Sequence, residues 1–569
     1  MLQDWYEDSL TTWPELLDRQ AETHEHRVFL SMDSQTITYG AFREQVDRVA
    51  RGLLALGVQK GDVAAIFMTN SIDWVICQFA IYKIGAILLP LYSYYRESEM
   101  SYALTQAGVS VLIMQDQFLG KVDALAIARA AIPELDSAKA ESFASKSIPS
   151  LRHVVRVGKG VDLQSRHDLD TVIARGATVA PQELIARQSQ ILPFDVMNIM
   201  YTSGTTGFPK GGMSMHVTNL VTTHQWSKLA GLGPDDVILC HVPLFTNFGG
   251  LYGAPLGMRN GARVVITEQF DAGHSLQLIE SEGVTYIPGT PSMFQMMLDH
   301  PDIATRDLSS VRGGHVAGAP LTDATMRGIL DVLGAHRIMQ AWGLSECGGL
   351  STVSTADDPR EKRLTTVGKP LESVVLRIID PETGTDVEPG AQGEILLGDT
   401  QPGSCVGKGY WNMPEKTREA IDRKGFFHTG DVGFLDDEGY LHITGRVDDM
   451  FTVGGFNIYP AEIERHLEEM PGVCEAHIVP VEDRRMGNLP AAWIVADPVG
   501  GPGAEAIADH VRTRMTSQKV PRRVFFCAAQ DLPRTPVGKL RKKDLIRMTR
   551  ERIDADPGAG LITKEEDAS

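Results

Sequence analysis

The sequence predicts an α/β protein in two folded parts: helix-covered sheets in a large N-terminal part and a small α+β unit at the C-terminal end. Three observations carry this. Between residues 36 and 114, apolar helical faces alternate with short apolar runs, the pattern of a mainly parallel sheet covered by helices. The 569 residues exceed what one compact core accommodates. Near residue 446, short strands and turns rich in Gly and Asp give way to a new set of helix and strand signals.

The elements follow in order. "AFREQVDRVARGLLALG" (41–57) places Phe42, Val46, Val49, Ala50, Leu53 and Leu54 on one helical face, with Gly57 as terminator. "DVAAIFM" (62–68) reads as a strand, and "SIDWVICQFAIYKIG" (71–85) as a helix capped by Ser71 and ended by Gly85. "AILLPL", "SEMSYALTQAG" and "VSVLIM" repeat the cycle. Residues 117–190 are less regular and are expected to form a surface insertion. "VMNIM" (196–200) reads as a strand. Past residue 446, "YPAEIERHLEEM" and "AEAIADHVRTRM" read as helices, the first with Pro460 in its first turn. "EAHIVPV", "AAWIVAD" and "RRVFFCA" read as strands, with "VGGPG" (499–503) as a loop.

Composition narrows the function. A formal net charge of -19 disfavours nucleic acid and anionic membrane surfaces as partners, although "RTPVGKLRKKDLIRMTRER" (534–552) is locally basic. The cysteines, Cys77, Cys240, Cys347, Cys405, Cys474 and Cys527, are scattered without a C-x-x-C pair, which points to free thiols in a reducing compartment. The N-terminal stretch is acidic and broken by Pro14, unlike a signal peptide. "FAIYKIGAILLPL" (79–91) is too short to span a bilayer, and the chain does not end in a peroxisomal address. A cytoplasmic protein without a transmembrane segment is the expectation.

"YTSGTTGFPKGG" (201–212) has the chemistry of an anion site. Gly204 and Gly207 let backbone N–H groups approach a ligand. Thr202, Ser203, Thr205 and Thr206 add hydroxyls, and Lys210 adds a charge suited to phosphate. The spacing does not fit G-x-x-x-x-G-K-[S/T], and no G-x-G-x-x-G turn opens a helix. The loop follows a strand, where α/β sheets bind ligands.

This string resembles the signature loop of the adenylate-forming superfamily, whose members include acyl-CoA synthetases, luciferases and peptide-synthetase adenylation domains. "AGAP" (317–320), "QAWGLSE" (340–346), "GYW" (409–411), "FHTGDVG" (427–433), "GRVDD" (445–449), "GGFNIYPAEIE" (454–464) and "LPRTPVGK" (532–539) resemble the family's successive segments, in order. The resemblance implies a large N-terminal α/β domain of several subdomains with mixed sheets, residues 1–445. It also implies a small mobile α+β domain, residues 446–569. The implied reaction joins a carboxylic acid to the α-phosphate of Mg-ATP, expels pyrophosphate, and passes the acyl group to the thiol of coenzyme A.

Roles follow by resemblance, position by position. Lys539 would bridge substrate carboxylate and α-phosphate. Glu346 would hold Mg²⁺. Thr202 and the loop through Lys210 would hold phosphate, with Ser345 touching it. Gly318, Ala319 and Pro320 would wall the adenine, and Trp342 beside Gly343 would stack on it. Asp431 and Arg446 would take the ribose hydroxyls. Asp448 would be the hinge, and Gly454 and Gly455 would line the pantetheine tunnel. Arg541, Lys542 and Lys543 read better as a solvated basic face than as a coenzyme A contact. Phe245, Thr246, Asn247, Phe248 and Gly249 would border the acyl pocket, with Gly250 beside them and Thr246 where many relatives carry histidine. A medium- or long-chain fatty acid is the expected substrate, with aryl and alicyclic acids open. "LFTNFGG" lacks the aspartate of amino-acid-selecting domains, and "GLSEC" (343–347) misses a serine-hydrolase elbow by one residue. A homodimer is a family-level expectation only.

Overall fold

The computed structural model describes residues 4–93, 95–120, 122–202, 209–318, 321–453, 456–458, 460–483, 485–534 and 540–562. Of Ser142, Asp448, Thr452, Phe456 and Asn457 only the backbone is described. The chain forms two compact units, Met1–Leu376 with Leu396–His428, and Arg377–Ile395 with Thr429–Ser569.

The first unit is built on two large mixed sheets. One has seven strands in the order Lys210–Met215, Val196–Thr202, Ile87–Pro90, Val63–Phe67, Val109–Met114, His153–Arg156 and His167–Asp168. Only the pairing of Lys210–Met215 with Val196–Thr202 is antiparallel. The other has nine strands. Its middle strands, from Arg337–Trp342 through Gly313–Val316, Tyr286–Gly289, Val237–Cys240 and Arg263–Ile266 to Val28–Met32, run parallel. Antiparallel strands close both ends.

Local chemistry sets the elements. The Ser71 hydroxyl accepts the Trp74 N–H at 3.1 Å and starts the helix Ile72–Lys83. Gly108 ends Glu97–Ala107 in the left-handed conformation at φ 68°. Strands Val63–Phe67 and Val109–Met114 are buried throughout, as strands covered on both faces must be. The greasy stretch around Lys83 is core: the ammonium, 4% exposed, meets Asp18 at 2.7 Å and Asp47 at 2.6 Å. Among the described residues, no helix is long and apolar enough to cross a membrane.

Residues 117–190 correct the expected surface insertion. His153–Arg156 pairs parallel with Val109–Met114, and His167–Asp168 extends the same edge. Ile132, Leu135, Leu151 and Val154 join the core under that sheet. Two of the segment's helices, Ala124–Ala131 and Leu169–Gly176, are eight residues each, and one strand has two residues. Elements this short leave too little periodicity to register.

In the second unit Val473–Asp483, Gly487–Ala496 and Arg523–Phe526 form a three-stranded sheet packed by the helices Pro460–Glu468, Ala504–Arg512 and Lys542–Ala555. The central strand obeys the two-residue period: Ala492 and Ile494 enter one apolar cluster, Ala491, Trp493 and Val495 the other. Trp493 is wholly buried and donates its indole N–H to Thr549 at 2.9 Å. All six cysteines are free thiols, four of them buried.

Candidate functional site

The Gly/Thr loop leaves the C-terminal end of Val196–Thr202 and returns in Lys210–Met215, so Thr202 and Lys210 face each other in the antiparallel register at its base. Ser203, Gly204, Thr205, Thr206 and Gly207 lie outside the described residues. Glu346 sits on the short turn Ser345–Cys347 and is only 6% exposed. Its Oε1 accepts the Thr202 hydroxyl at 3.2 Å and the Tyr410 hydroxyl at 3.1 Å. Lys210 Nζ lies 4.9 Å from the centroid of the Tyr410 ring. Thr202, Lys210 and Glu346, far apart in sequence, therefore meet, and Tyr410 joins them.

Close backbone packing makes this possible. Trp411 N–H donates to Gly211 O at 2.8 Å, Met213 N–H to Gly409 O at 2.9 Å, and Gly407 N–H to Glu346 O at 2.9 Å. A Cβ on Gly407 would stand 2.3 Å from Met213 O and 2.8 Å from Glu346 O. A Cβ on Gly343 would stand 2.4 Å from Gly349 O. The "GYW" string thus acts as an added strand against the phosphate loop's return arm, and it delivers the Tyr410 hydroxyl.

Tyr92 is a second residue the sequence did not single out. Its hydroxyl donates to Tyr201 O at 3.1 Å and its ring lies 5.2 Å from that of Phe245. Burial first, and then the Glu346 charge, push the Tyr92 hydroxyl pKa up. The only hint was a tyrosine cluster just after the strand Ile87–Pro90.

The segment 245–250 starts the helix Asn247–Tyr252. Thr246 is its cap: the hydroxyl accepts the Gly249 N–H at 3.2 Å and donates to Pro243 O at 2.7 Å. A Cβ on Gly249 would come 2.3 Å from Pro243 O. Phe245 is buried, and the Phe248 ring lies 4.7 Å from His315. The side-chain amide atoms of Asn247 are buried with no hydrogen-bond partner among the described residues.

Gly318 follows the strand Gly313–Val316 with φ 90°, a conformation that favours glycine. Ala319 and Pro320 lie outside the described residues. Trp342 ends the strand Arg337–Trp342, half-buried, three residues before Ser345.

The second unit holds another pair. Asp431 and Arg446 face each other across an antiparallel hairpin, with Arg446 Nη1 3.2 Å from Asp431 Oδ1. Asp431 is 8% exposed, and its backbone N–H donates to the Thr429 hydroxyl oxygen at 3.0 Å. Arg446 Nη2 donates to Thr429 O at 3.2 Å. Asp448 lies in the turn Val447–Asp449. Gly454, Gly455 and Lys539 lie outside the described residues. The strand-like bridge between Arg534 and Leu540, and the Arg541 N–H to Pro533 O bond at 2.7 Å, describe the two arms flanking the segment that carries Lys539.

No group of three or more His, Cys, Asp or Glu side chains that could hold a metal occurs among the described residues. A single carboxylate is compatible with Mg²⁺, which takes a carboxylate or two and fills its shell with phosphate oxygens and water.

Comparison with known proteins agrees with this geometry. The family model for AMP-binding enzymes matches residues 17–411, and that for the AMP-binding enzyme C-terminal domain matches 462–539. The chain is 35% identical over 538 residues to a 3-[(3aS,4S,7aS)-7a-methyl-1,5-dioxo-octahydro-1H-inden-4-yl]propanoyl:CoA ligase of Mycobacterium tuberculosis, covering 95% of this chain and 99% of that one. It is 34% identical over 530 residues to a mitochondrial medium-chain acyl-CoA ligase of Danio rerio, covering 91% and 84%. Among solved structures, ATP-bound MatB from Rhodopseudomonas palustris superposes with a TM-score of 0.79 at 26% identity, covering 95% of this chain and 99% of that one. An anthranilate CoA ligase in complex with anthranoyl-AMP gives 0.81 at 26% identity, covering 96% and 98%. With both family models matched in order and full-length relatives above 30% identity, this chain belongs to the AMP-binding enzymes, the adenylate-forming superfamily, in its acyl-CoA ligase branch.

Proposed function

We propose that this protein activates a carboxylic acid with ATP and transfers the acyl group to coenzyme A. The observation that carries the site assignment is the Glu346 carboxylate, with Thr202 and Tyr410 hydroxyls on one oxygen, beside the base of the phosphate loop.

In the first half-reaction a carboxylate oxygen of the acid attacks the α-phosphorus, and the bond to the pyrophosphate oxygen breaks. The carboxylate is already a nucleophile, so the residues supply charge and alignment rather than a base. Thr202, Ser203, Gly204, Thr205, Thr206, Gly207 and Lys210 grip phosphate, with Ser345 beside them. Lys539 spans carboxylate and α-phosphate as negative charge builds there. Glu346 would hold Mg²⁺, which neutralises phosphate charge when bound. Trp342, Gly343, Gly318, Ala319 and Pro320 frame adenine, and Asp431 and Arg446 take ribose. In the second half-reaction the thiol sulfur of coenzyme A attacks the acyl carbon, AMP leaves, and the thiol proton goes to solvent. We assign the mobile domain to residues 446–569, with Asp448 as its hinge and Gly454 and Gly455 beside pantetheine. The scattered free cysteines support a reducing, cytoplasmic setting.

A medium- or long-chain fatty acid is the first reading of the substrate. The rings of Tyr92, Phe245 and Phe248 around the acyl segment favour a second, a cyclic acid. Pyrophosphate release across a panel of straight-chain, alicyclic and aryl acids, with and without coenzyme A, tests the proposal. At least one acid must elicit ATP-dependent pyrophosphate and, with coenzyme A, a thioester. Silence across the panel removes it.

A further inference from the structure

Lys210 at the base of the phosphate loop and Tyr410 in the added strand meet at the nucleotide grip, with Lys210 Nζ 4.9 Å from the Tyr410 ring centroid. Both are fastened to a third element, the helix Glu97–Ala107. The Tyr102 hydroxyl donates to Pro209 O at 2.9 Å, one residue before Lys210. The Gln106 side-chain amide donates to Trp411 O at 2.8 Å, one residue after Tyr410. Tyr102 and Gln106 are four residues apart, so they share one face of the helix.

The end of the helix adds to the hold. The last carbonyls of a helix have no partner within it. Here the Trp411 indole N–H donates to Ala107 O at 3.0 Å, and the Asn412 amide to Gln106 O at 3.2 Å. The other arm of the loop is held as well. Tyr201 donates its hydroxyl to Gln106 Oε1, and its carbonyl, next to Thr202, accepts from Tyr92 at 3.1 Å. One amide thus serves both sides: its oxygen takes an arm of the loop and its nitrogen takes the added strand. A carbonyl such as Trp411 O can only accept, which fixes the way the amide faces.

The strand Lys210–Met215 lies at the edge of its sheet, and a short bridge from Gly212 to Tyr410 joins it to the added strand. The helix side chains fix where Pro209 and Trp411 stand beyond that bridge. They thereby set the distance from ammonium to ring, and from the Tyr410 hydroxyl to Glu346. Resting on the ATP-dependent reading above, we propose that the helix Glu97–Ala107 is the bracket of the nucleotide grip. Tyr102 and Gln106 are its positioning residues, acting on the phosphates beyond the α-phosphate through Lys210 and Tyr410. AMP lacks those phosphates, so the bracket serves ATP and leaves AMP unaffected.

Calorimetric binding of ATP and of AMP to the full chain, with magnesium present, tests this without any acid. Tyr102→Phe keeps the ring and should raise the Kd for ATP about 2- to 10-fold, the range for one neutral hydrogen bond. Gln106→Leu cuts both of its ties and should raise it about tenfold. AMP binding should stay within about twofold in both variants. In a Lys210→Ala background, Tyr102→Phe should cost ATP at most about a further twofold, because the hydroxyl acts through that lysine. Should Gln106→Leu fail to fold, Tyr102→Phe and its pairing with Lys210→Ala decide the matter. Unchanged ATP binding overturns the proposal. Equal loss of ATP and AMP also overturns it, by making the helix a general support of the fold, and so does full additivity with Lys210→Ala. A wild type that binds neither nucleotide would instead remove the underlying ATP-dependent reading.

Discussion

Replacing Tyr410 by Phe isolates one hydroxyl at the centre of the site. The ring stays, so the contact with Lys210 at 4.9 Å is kept. What goes is the O–H that reaches Glu346 Oε1 at 3.1 Å, leaving Thr202 at 3.2 Å as its described hydroxyl partner. Hydrogen bonds to charged groups contribute about 1.5–3 kcal/mol. At 3.1 Å this one is longer than a strong hydroxyl–carboxylate contact, so the lower figure applies, about 1.5 kcal/mol or roughly tenfold. Because the hydroxyl orients a carboxylate assigned to magnesium, the loss should fall on metal use. The expected result is a roughly tenfold rise in half-saturating magnesium, with kcat largely recovered at saturation. Initial rates of pyrophosphate release, measured against free magnesium at fixed ATP and acid, give both numbers. Unchanged magnesium dependence would refute the reasoning. A rate defect that saturating magnesium does not repair would refute it equally, because the hydroxyl would then act on the chemistry itself.

Lys539→Ala should lower acyl-adenylate formation by about 10²-fold or more, while thioester formation from supplied acyl-adenylate largely survives. Equal loss in both half-reactions would contradict the assigned role. Asp431→Asn removes the carboxylate that pairs with Arg446 at 3.2 Å and should weaken AMP binding about tenfold by calorimetry, with no comparable change for pyrophosphate. Three wholly buried histidines make folding acid-sensitive. Burial, the largest cause in each, lowers the pKa of His216 and His241 to about 4 and of His315 to about 3. The folded values lie below the unfolded value of about 6.5, so the unfolded chain gains protons first as pH falls. Their stability contribution is whole above about pH 6.5 and is lost on the way down to pH 4, at roughly 3–4 kcal/mol per pH unit near pH 5. Urea midpoints between pH 7.5 and 5 should fall steeply, and a flat profile would contradict the burial of these rings.

The strong local signals were legible. Helix 71–85 carries its cap and stop within fifteen residues, and the structure uses Ser71 as predicted. The alternation that predicts sheets and helices depends only on neighbours a few residues away. The site is different. Thr202 and Glu346 are 144 residues apart, and Glu346 and Tyr410 are 64 apart. Motif order could name the first pair through resemblance, but only backbone pairing of 407–411 with 211–213 reveals that "GYW" brings a hydroxyl to the carboxylate. Tyr92 was missed for a related reason: it lies in no segment whose residue types stand out, and it gains meaning from the Phe245 ring and the Glu346 charge, both contributed from far along the chain. The segment 117–190 was misread because its strands and helices are too short to show a period.

The departure at Thr246 takes on a physical meaning in this light. Many relatives place histidine there, and a threonine could have been expected to turn its hydroxyl to the substrate. Instead that hydroxyl both donates, to Pro243 O, and accepts, from Gly249 N–H, so its proton is spent on the turn that starts Asn247–Tyr252. The cap sets the direction in which Asn247 and Phe248 leave the turn, and the Phe248 ring comes to rest against His315. An imidazole therefore does lie beside this segment, supplied from a strand of the nine-stranded sheet and held neutral by burial. A loop imidazole exposed to solvent titrates near neutrality and can carry charge. One sealed among four rings stays neutral and carries no charge for as long as the fold encloses it. Acid selection in this enzyme should accordingly be insensitive to pH across the range where the fold persists, even as the fold itself weakens below about pH 6.5.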